Sequence, residues 1–369
     1  MHYKGMREGH KSHLGRLIQS KEAIMKRKIS LVVMFCMCLV LLKAMPASAA
    51  PAKVYEFNLS DYNQATAAQG KFIDDWADKI NKDSDGRIKI RVYHGSVLLP
   101  PNNTWPGVAK GVADLGDSFR YETFGKTFQE YIGNFMIGAP TATVAQQIQY
   151  DCYEKFPELR TEWKDNKVIT FASSPRMNIH NSVRLLRVPA DLKGLQIRVS
   201  VGGASELTKV WGGIPVFAPI TESYEMLQKK TVQGIMAGSD VLKIFRLAEV
   251  CNYTINLGVQ FDPSFFLCMN WDKYNSLPAD LQKVIDDSMP WARQTIQKVM
   301  DEQVQIGIDF AKGLNKGYQF YNPTPEELAQ WIDPIQPLLQ KWAASVDAKG
   351  LPGTALYNFV RERVKVYTK

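Results

Sequence analysis

Residues 190–200 read Ala-Asp-Leu-Lys-Gly-Leu-Gln-Ile-Arg-Val-Ser. Asp191 to Gly194 supplies turn formers, and behind them Leu195, Ile197 and Val199 alternate with Gln196 and Arg198. That is the period of a strand with one buried face, and it points Arg198 away from its apolar neighbours. Gly202 and Gly203 follow and leave room above the strand end. A guanidinium held on a strand beside such a gap can grip a carboxylate through two parallel hydrogen bonds. The plainer alternative is an exposed strand arginine.

Further along stand Gly212-Gly213-Ile214-Pro215-Val216, then Glu222-Ser223-Tyr224-Glu225-Met226-Leu227-Gln228, then Val232-Gln233-Gly234. In this order and spacing, the fragments and the Leu-Lys-Gly-Leu-Gln-Ile-Arg-Val run resemble the signature of the solute-binding proteins of tripartite ATP-independent periplasmic (TRAP) transporters. Weaker similarity runs over nearly the whole chain after residue 49. The resemblance implies an α/β fold, a two-lobed periplasmic binding protein with a cleft between lobes and a long helix bracing both. It implies capture of a small organic acid by hinge closure, delivery to TRAP membrane permease subunits, no cofactor, and Arg198 as the carboxylate anchor. Where some relatives place a second ligand-binding arginine, this chain has Asn178, with Arg176 two residues earlier. The role falls to Arg176, falls to Asn178, or is lost. Ala237 stands where a family asparagine touches the carboxylate, so that contact does not carry over. Met269-Asn270 resembles a frequent family pair at a strand end, which makes Asn270 a residue expected to reach the cleft.

Charge separates the two ends of the chain. The formal charge is +8, but residues 1–49 hold nine Lys/Arg against two Glu, so the remainder carries only +1. Such a remainder has no global pull on nucleic acid or anionic lipid. Lys26-Arg27-Lys28, the apolar run Ile29 to Leu42 and the small-residue triplet Ala47-Ser48-Ala49 predict a cleaved secretory leader over 1–49, with Met25 as an alternative start, and export to the periplasm. Cleavage leaves Cys152, Cys251 and Cys268, read as buried thiols, although one disulfide among them stays open.

Strand, helix and strand open the mature chain at Val54–Asn58, Ala67–Lys82 and Ile88–Val92, an α/β beginning. Tyr62, Asn63 and Gln64 lie in the first strand-to-helix connection, where open α/β sheets present ligand groups. A strand is expected over Val112–Gly116, followed at its end by Phe119, Arg120 and Tyr121 as candidate pocket residues. Lys167–Ala172, Ile214–Phe217, Ile235–Ala237, Tyr253–Leu257 and Ser264–Asn270 read as further strands. Helical periodicity runs from Asp280 past Pro290 to about Leu314. Chain crossings near Pro175 and Pro263 divide the expected lobes: 50–175 plus about 264–303, and 176–263 plus about 304–369.

Outside the leader only His94 and His180 remain, and no HExxH, paired CxxC, G-x-S-x-G, P-loop or G-x-G-x-x-G occurs. No metal is expected, and a secreted hydrolase lacks its nucleophile–base pair. The rivals within binding function are a binding protein for an ABC importer and a ligand sensor. Around Arg198 the expected surroundings are apolar, with Phe217, Ile235 and Met236, and with Trp211 and Phe119 as further candidates. One firm arginine with such walls favours a monocarboxylate with an apolar or aromatic body. Arg120 and Arg176 keep a C4-dicarboxylate as the alternative.

Overall fold

The opening unit forms as its pattern requires. β1 (Tyr55–Asp61) lies parallel to β2 (Ile88–Tyr93), and the helix Ala68–Asp83 between them buries Phe72, Ile73, Trp76 and Ile80 against the sheet. The computed structural model describes residues 53–119, 128–200, 202–258 and 265–368, with Met25 and Met34. The rest of the expected leader, and Arg120, Tyr121 and Pro263, lie outside the described residues.

Two sheets follow. The first has the order β2-β1-β3-β10-β4, with β3 at Leu115–Phe119, β4 at Asn166–Ala172 and β10 at Phe265–Asn270. Only β10 runs against the others. The second has the order β11-β9-β5-β8-β6-β7, from β5 (Asn178–Asn181), β6 (Gln196–Val199), β7 (Ile214–Phe217), β8 (Gly234–Ala237), β9 (Tyr253–Ile255) and β11 (Gln319–Tyr321). Here β5 is the antiparallel member.

Two of the chain's three passages between the sheets join carboxyl edges; the third, from β10 to β11, runs through the helix Ala279–Gly313. β4 ends at Ala172, and β5 begins at Asn178 opposite Ala237, the last residue of β8. β9 ends at Ile255 opposite Ile179, and β10 begins at Phe265 opposite Phe119, the last residue of β3. The carboxyl ends of the parallel strands therefore converge, as the places where open α/β sheets bind ligands.

Two local expectations are corrected. The strand expected at Val112–Gly116 begins at Leu115, because the preceding helix Pro101–Ala109 closes through Gly111 at φ +74 and a Val112 N–H bond to Gly107. Val112 itself is exposed. The segment Asn178–Asn181, absent from the strands expected above, is a fully buried strand. Its Asn-Ile-His-Asn lacks apolar alternation and is sustained by hydrogen bonds: His180 Nδ1 with Thr254 Oγ1 at 2.7 Å, and Asn178 Nδ2 to Ser239 Oγ at 3.2 Å.

The helix Ala279–Gly313 spans both sheets, about 50 Å at 1.5 Å per residue. Its first part packs Leu281, Ile285, Ala292 and Ile296 against the first sheet and the helix Ala68–Asp83, where Trp76 Nε1 donates to Ser288 Oγ at 3.0 Å. Its last part lies on the turn after β8. There a Cβ at Gly307 would stand 2.0 Å from the Ser239 carbonyl oxygen, so only glycine permits the approach. The helices Gln336–Asp347 and Gly353–Thr368 pack on Phe128–Phe135 and Ala142–Lys155. Cys152, Cys251 and Cys268 are buried free thiols.

Candidate functional site at the converging carboxyl edges

Arg198 sits on β6, one strand in from the β7 edge of the second sheet. Its neighbours Ile197 and Val199 turn to one core, while Arg198 shares the other face with Val216 and Ile235, its partners in register. The side chain is 3% exposed, and its Nε donates to the Ala218 carbonyl at 2.8 Å. That bond fixes the plane of the guanidinium at the carboxyl end of the sheet. The exposed-arginine alternative is thereby removed.

Asn178 and Ala237 face each other in register at the same edge. Beneath them His180 is neutral: burial lowers its pKa to about 4, against weaker opposing bonds from the Gly238 and Ala237 carbonyls. Arg176 lies in the crossover from β4. It is exposed to water, and partial desolvation lowers its pKa. A Cβ at Gly258 would lie 3.3 Å from Arg176 Cδ and Nη1, so the two crossovers run side by side here.

The first sheet presents a different edge. Tyr62 and Phe119 meet edge-on at 5.1 Å between ring centres, and Phe265 completes the group at 6.4 Å and 5.6 Å. Beside them are two carboxyls. Asn63 Nδ2 donates to Asp61 Oδ1 at 2.9 Å and to Asp117 Oδ2 at 3.0 Å. His94 bridges Asp61 at 2.8 Å and Asp74 at 3.0 Å. Burial, then the neighbouring Asp61 carboxyl, hold Asp117 well above the usual carboxylate range. Burial works against a charged His94, but the Asp61 and Asp74 carboxylates outweigh it and raise its pKa. A narrow crevice in this wall is lined by Tyr62, Asn63, Gln69, Asp117, Phe265 and Met300. Gln64, exposed, lies over Gly95 at the rim.

The structure thus brings Arg198, Asn178 and Ala237 to one edge and Tyr62 and Phe119 to the other, with Arg176 in the crossover. It does not bring in the rest. Trp211 is 2% exposed, its Nε1 donates to the Trp331 carbonyl at 2.8 Å, and its ring meets Trp331 at 5.2 Å. Asn270 ends β10 at the far side of the sheet, five residues from Phe265 and about 17 Å away. Its side chain caps the next helix and donates to Val108, so it holds structure rather than ligand. Phe217 pairs with Val199, on the face opposite Arg198, and is 73% exposed. Asp61, Asp117 and Phe265 were missed from sequence. For Asp117 the signal was a strand frame displaced by three residues; for Phe265 it was a position at the start, rather than the end, of its strand.

The profile of the bacterial extracellular solute-binding protein family 7 (DctP) matches residues 59–345. The chain belongs to this family. A TRAP periplasmic solute-binding protein from Desulfovibrio salexigens, solved as an open complex with the C-terminus of a symmetry mate in its ligand site, is 30% identical. The match covers 86% of this chain and 97% of that one, at a TM-score of 0.75. A marine metagenome TRAP protein described as specific for aromatic acid ligands shares 21% identity over 86% and 100% of the two chains, with a TM-score of 0.77. One from Rhodoferax ferrireducens, in complex with copurified benzoate, shares 20% over 85% and 99%, with a TM-score of 0.76. The protein is a two-lobed solute-binding protein of the TRAP type, a class that captures a solute for membrane permease subunits. Family members are binding proteins rather than enzymes.

Proposed function

We propose that this protein binds a monocarboxylate with an apolar or aromatic body between the two carboxyl edges, and that its role is capture, not catalysis. One observation carries the reading: Arg198 is buried at the carboxyl end of β6 with its Nε fixed on the Ala218 carbonyl. A guanidinium whose plane is preset loses little freedom on pairing with a carboxylate. Tyr62, Phe119 and Phe265 supply the apolar wall for the body of the ligand. Benzoate and aromatic acids in two structurally similar proteins support the same ligand class.

In this reading the lobes 50–175 plus about 264–303 and 176–263 plus about 304–369 close by bending at the crossovers, and the leader 1–49 takes the chain to the periplasm. Arg176 or Asn178 adds a second contact to the ligand. Arg176 also favours a second reading, a C4-dicarboxylate, because it puts a further cation in the crossover between the two edges.

Calorimetry with benzoate, phenylacetate, succinate and glucuronate decides between them. The aromatic monocarboxylates are expected to bind tightest. Arg198→Lys keeps the charge, loses the planar fork, and is expected to cost about 1.5–3 kcal/mol of binding. Unchanged affinity in Arg198→Lys and Arg198→Ala removes Arg198 from the site. Tightest binding by succinate installs the second reading.

A further inference from the structure

We infer that Asp240 is the counter-ion Arg176 takes up when ligand closes the lobes: the pair fastens the hinge and withholds Arg176 from the ligand. The inference rests on the reading of the cleft as an organic-acid site anchored by Arg198 and closed by bending at the crossovers.

The bending stretch of the first crossover is short, because both of its ends are pinned. Ser173 is fully buried, and its main-chain N–H donates to Oε1 of Gln297, on the helix Ala279–Gly313, at 3.1 Å. Asn178 opens β5 and holds Ser239. Ser174, Pro175, Arg176 and Met177 lie between them, outside any helix or strand. Such short unstructured links absorb the rotation when lobes close.

Asp240 stands beside this stretch and does not belong to it. A Cβ at Gly238 would lie 2.4 Å from Asp240 Oδ1 and 2.9 Å from Pro175 Cβ, so the carboxyl and the proline flank one point. A Cβ at Gly307 would lie 3.2 Å from Asp240 Cα, so the long helix backs the residue. Asp240 Oδ1 is buried and has no hydrogen-bond partner among the described residues. A buried carboxylate oxygen in that state is costly, and burial accordingly raises the pKa to about 6. Arg176 follows Pro175, is exposed, and forms no ion pair among the described residues. Its Nη1 rests on the other crossover, 3.3 Å from where a Cβ at Gly258 would stand.

One hinge thus holds an anion and a cation that this conformation leaves apart. Rotation of residues 174–177 moves Arg176 while Asp240 stays on the helix. Pairing then satisfies Oδ1 with a charge-assisted hydrogen bond. A guanidinium used in this way brings no net charge to the cleft, which leaves the second ligand contact to Asn178 and favours a monocarboxylate over a C4-dicarboxylate.

A double-variant cycle by calorimetry on the full chain tests the pair, with benzoate and succinate as probes. Asp240→Asn and Arg176→Gln are each expected to weaken benzoate binding about fivefold or more, and the double variant to stay within about twofold of the weaker single, because one pair is broken once. Asp240→Asn frees Arg176, so preference is expected to shift toward succinate by about fivefold or more, a shift absent in Arg176→Gln. Thermal melts without ligand check folding; if Asp240→Asn does not fold, Asp240→Ser takes its place in the cycle. Additive losses in the double variant, or an Asp240→Asn protein that binds both probes within about twofold of wild type, overturn the inference while the organic-acid reading stands. Loss of succinate binding alone in Arg176→Gln also overturns it and puts Arg176 on the ligand. Binding of neither probe by the wild type overturns both.

Discussion

The two carboxyl edges that meet in this protein are built from opposite materials. The first sheet presents Asp61, Asp117 and Asn63 beside Tyr62, Phe119 and Phe265, and its polar atoms are spent on one another. The second presents Arg198 and Asn178, with Arg176 in the crossover, and its key cation is tied to main chain at Ala218. One wall is acidic and aromatic, the other cationic and amide-bearing. A ligand with one charged end then has one orientation, because turning it around sets carboxylate against carboxyl. On the proposed reading, orientation by opposed walls needs no dense network of contacts, so an edge with Ala237 in place of the family asparagine would still specify a pose.

The contrast is broken hardest by removing the cation. Arg198→Ala is expected to cost about 2–5 kcal/mol of binding, since the ligand carboxylate is then buried without its partner. Tyr62→Ala, on the other wall, removes apolar cover and part of the ring cluster, and about 1–2 kcal/mol is expected. Parallel calorimetry on both variants checks the ranking. A larger loss from Tyr62→Ala would mean that apolar contact, not charge, anchors the ligand.

The next effect is on the brace. Gly307→Ala places a methyl 2.0 Å from the Ser239 carbonyl, and main chain cannot step aside as a flexible side chain can. A loss of about 3 kcal/mol in denaturant unfolding is expected, as for a badly overpacked site. Gly313→Ala, with nothing within 4 Å, is the control on the same helix, and a gain of up to about 1 kcal/mol is expected there. Because Ser239 also receives Asn178, the Gly307 variant should weaken ligand binding as well, whereas Gly313→Ala should not. Equal behaviour of the two glycines would show that the long helix does not brace the second edge.

Legibility followed the same divide. The second edge was readable because Arg198 interrupts an apolar strand at a fixed distance from a turn, and periodicity alone gives its facing. The first edge was half readable. Tyr62 sits at the end of a clear strand, but Asp117 belongs to a strand whose start depends on how Gly111 closes the preceding helix. The strand β5 was not readable at all. Its burial is sustained by His180 and Asn178 finding partners on distant strands and loops, and no local pattern encodes that. Trp211 and Asn270 failed for the converse reason: both stand beside family-like motifs, yet their polar atoms are committed to Trp331 and Val108. Proximity in sequence to a motif says nothing about which end of a strand a side chain occupies.

The histidines sharpen the comparison by pH. Burial keeps His180 neutral under the second edge, its pKa lowered from 6.5 to about 4. Its contribution to stability is complete above pH 6.5 and declines as acid protonates the unfolded chain first, by about 2 kcal/mol at about pH 5. His94, under the first edge, is raised by Asp61 and Asp74, so its contribution is complete below its ordinary pKa and is lost as pH rises through the raised value. Asp240, whose buried carboxyl is pushed up to about 6, acts against His180 in the same window. Difference profiles therefore isolate each imidazole: wild type minus His180→Gln should fall toward acid, and wild type minus His94→Gln should fall toward alkali. Two profiles of the same sign would contradict the assignment of one charged and one neutral histidine.

The smallest effect is expected at Phe217. The residue ends β7, the edge strand of the second sheet, and its register with Val199 sets it on the face away from Arg198. At 73% exposure it buries little area that a polar residue would give up, so Phe217→Ser should change stability by no more than about 0.5 kcal/mol. With the aromatic wall supplied by Tyr62, Phe119 and Phe265, its removal should also leave affinity within about twofold, less than the roughly 1.4 kcal/mol of a tenfold change. The measurement is informative because the two quantities separate. Stability reports only the arrangement described here, whereas affinity reports the ligand-bound arrangement as well. Unchanged stability with a tenfold loss of affinity would mean that the end of β7 turns over the ligand on closure. The aromatic cover would then come from both walls, and only charge would distinguish them.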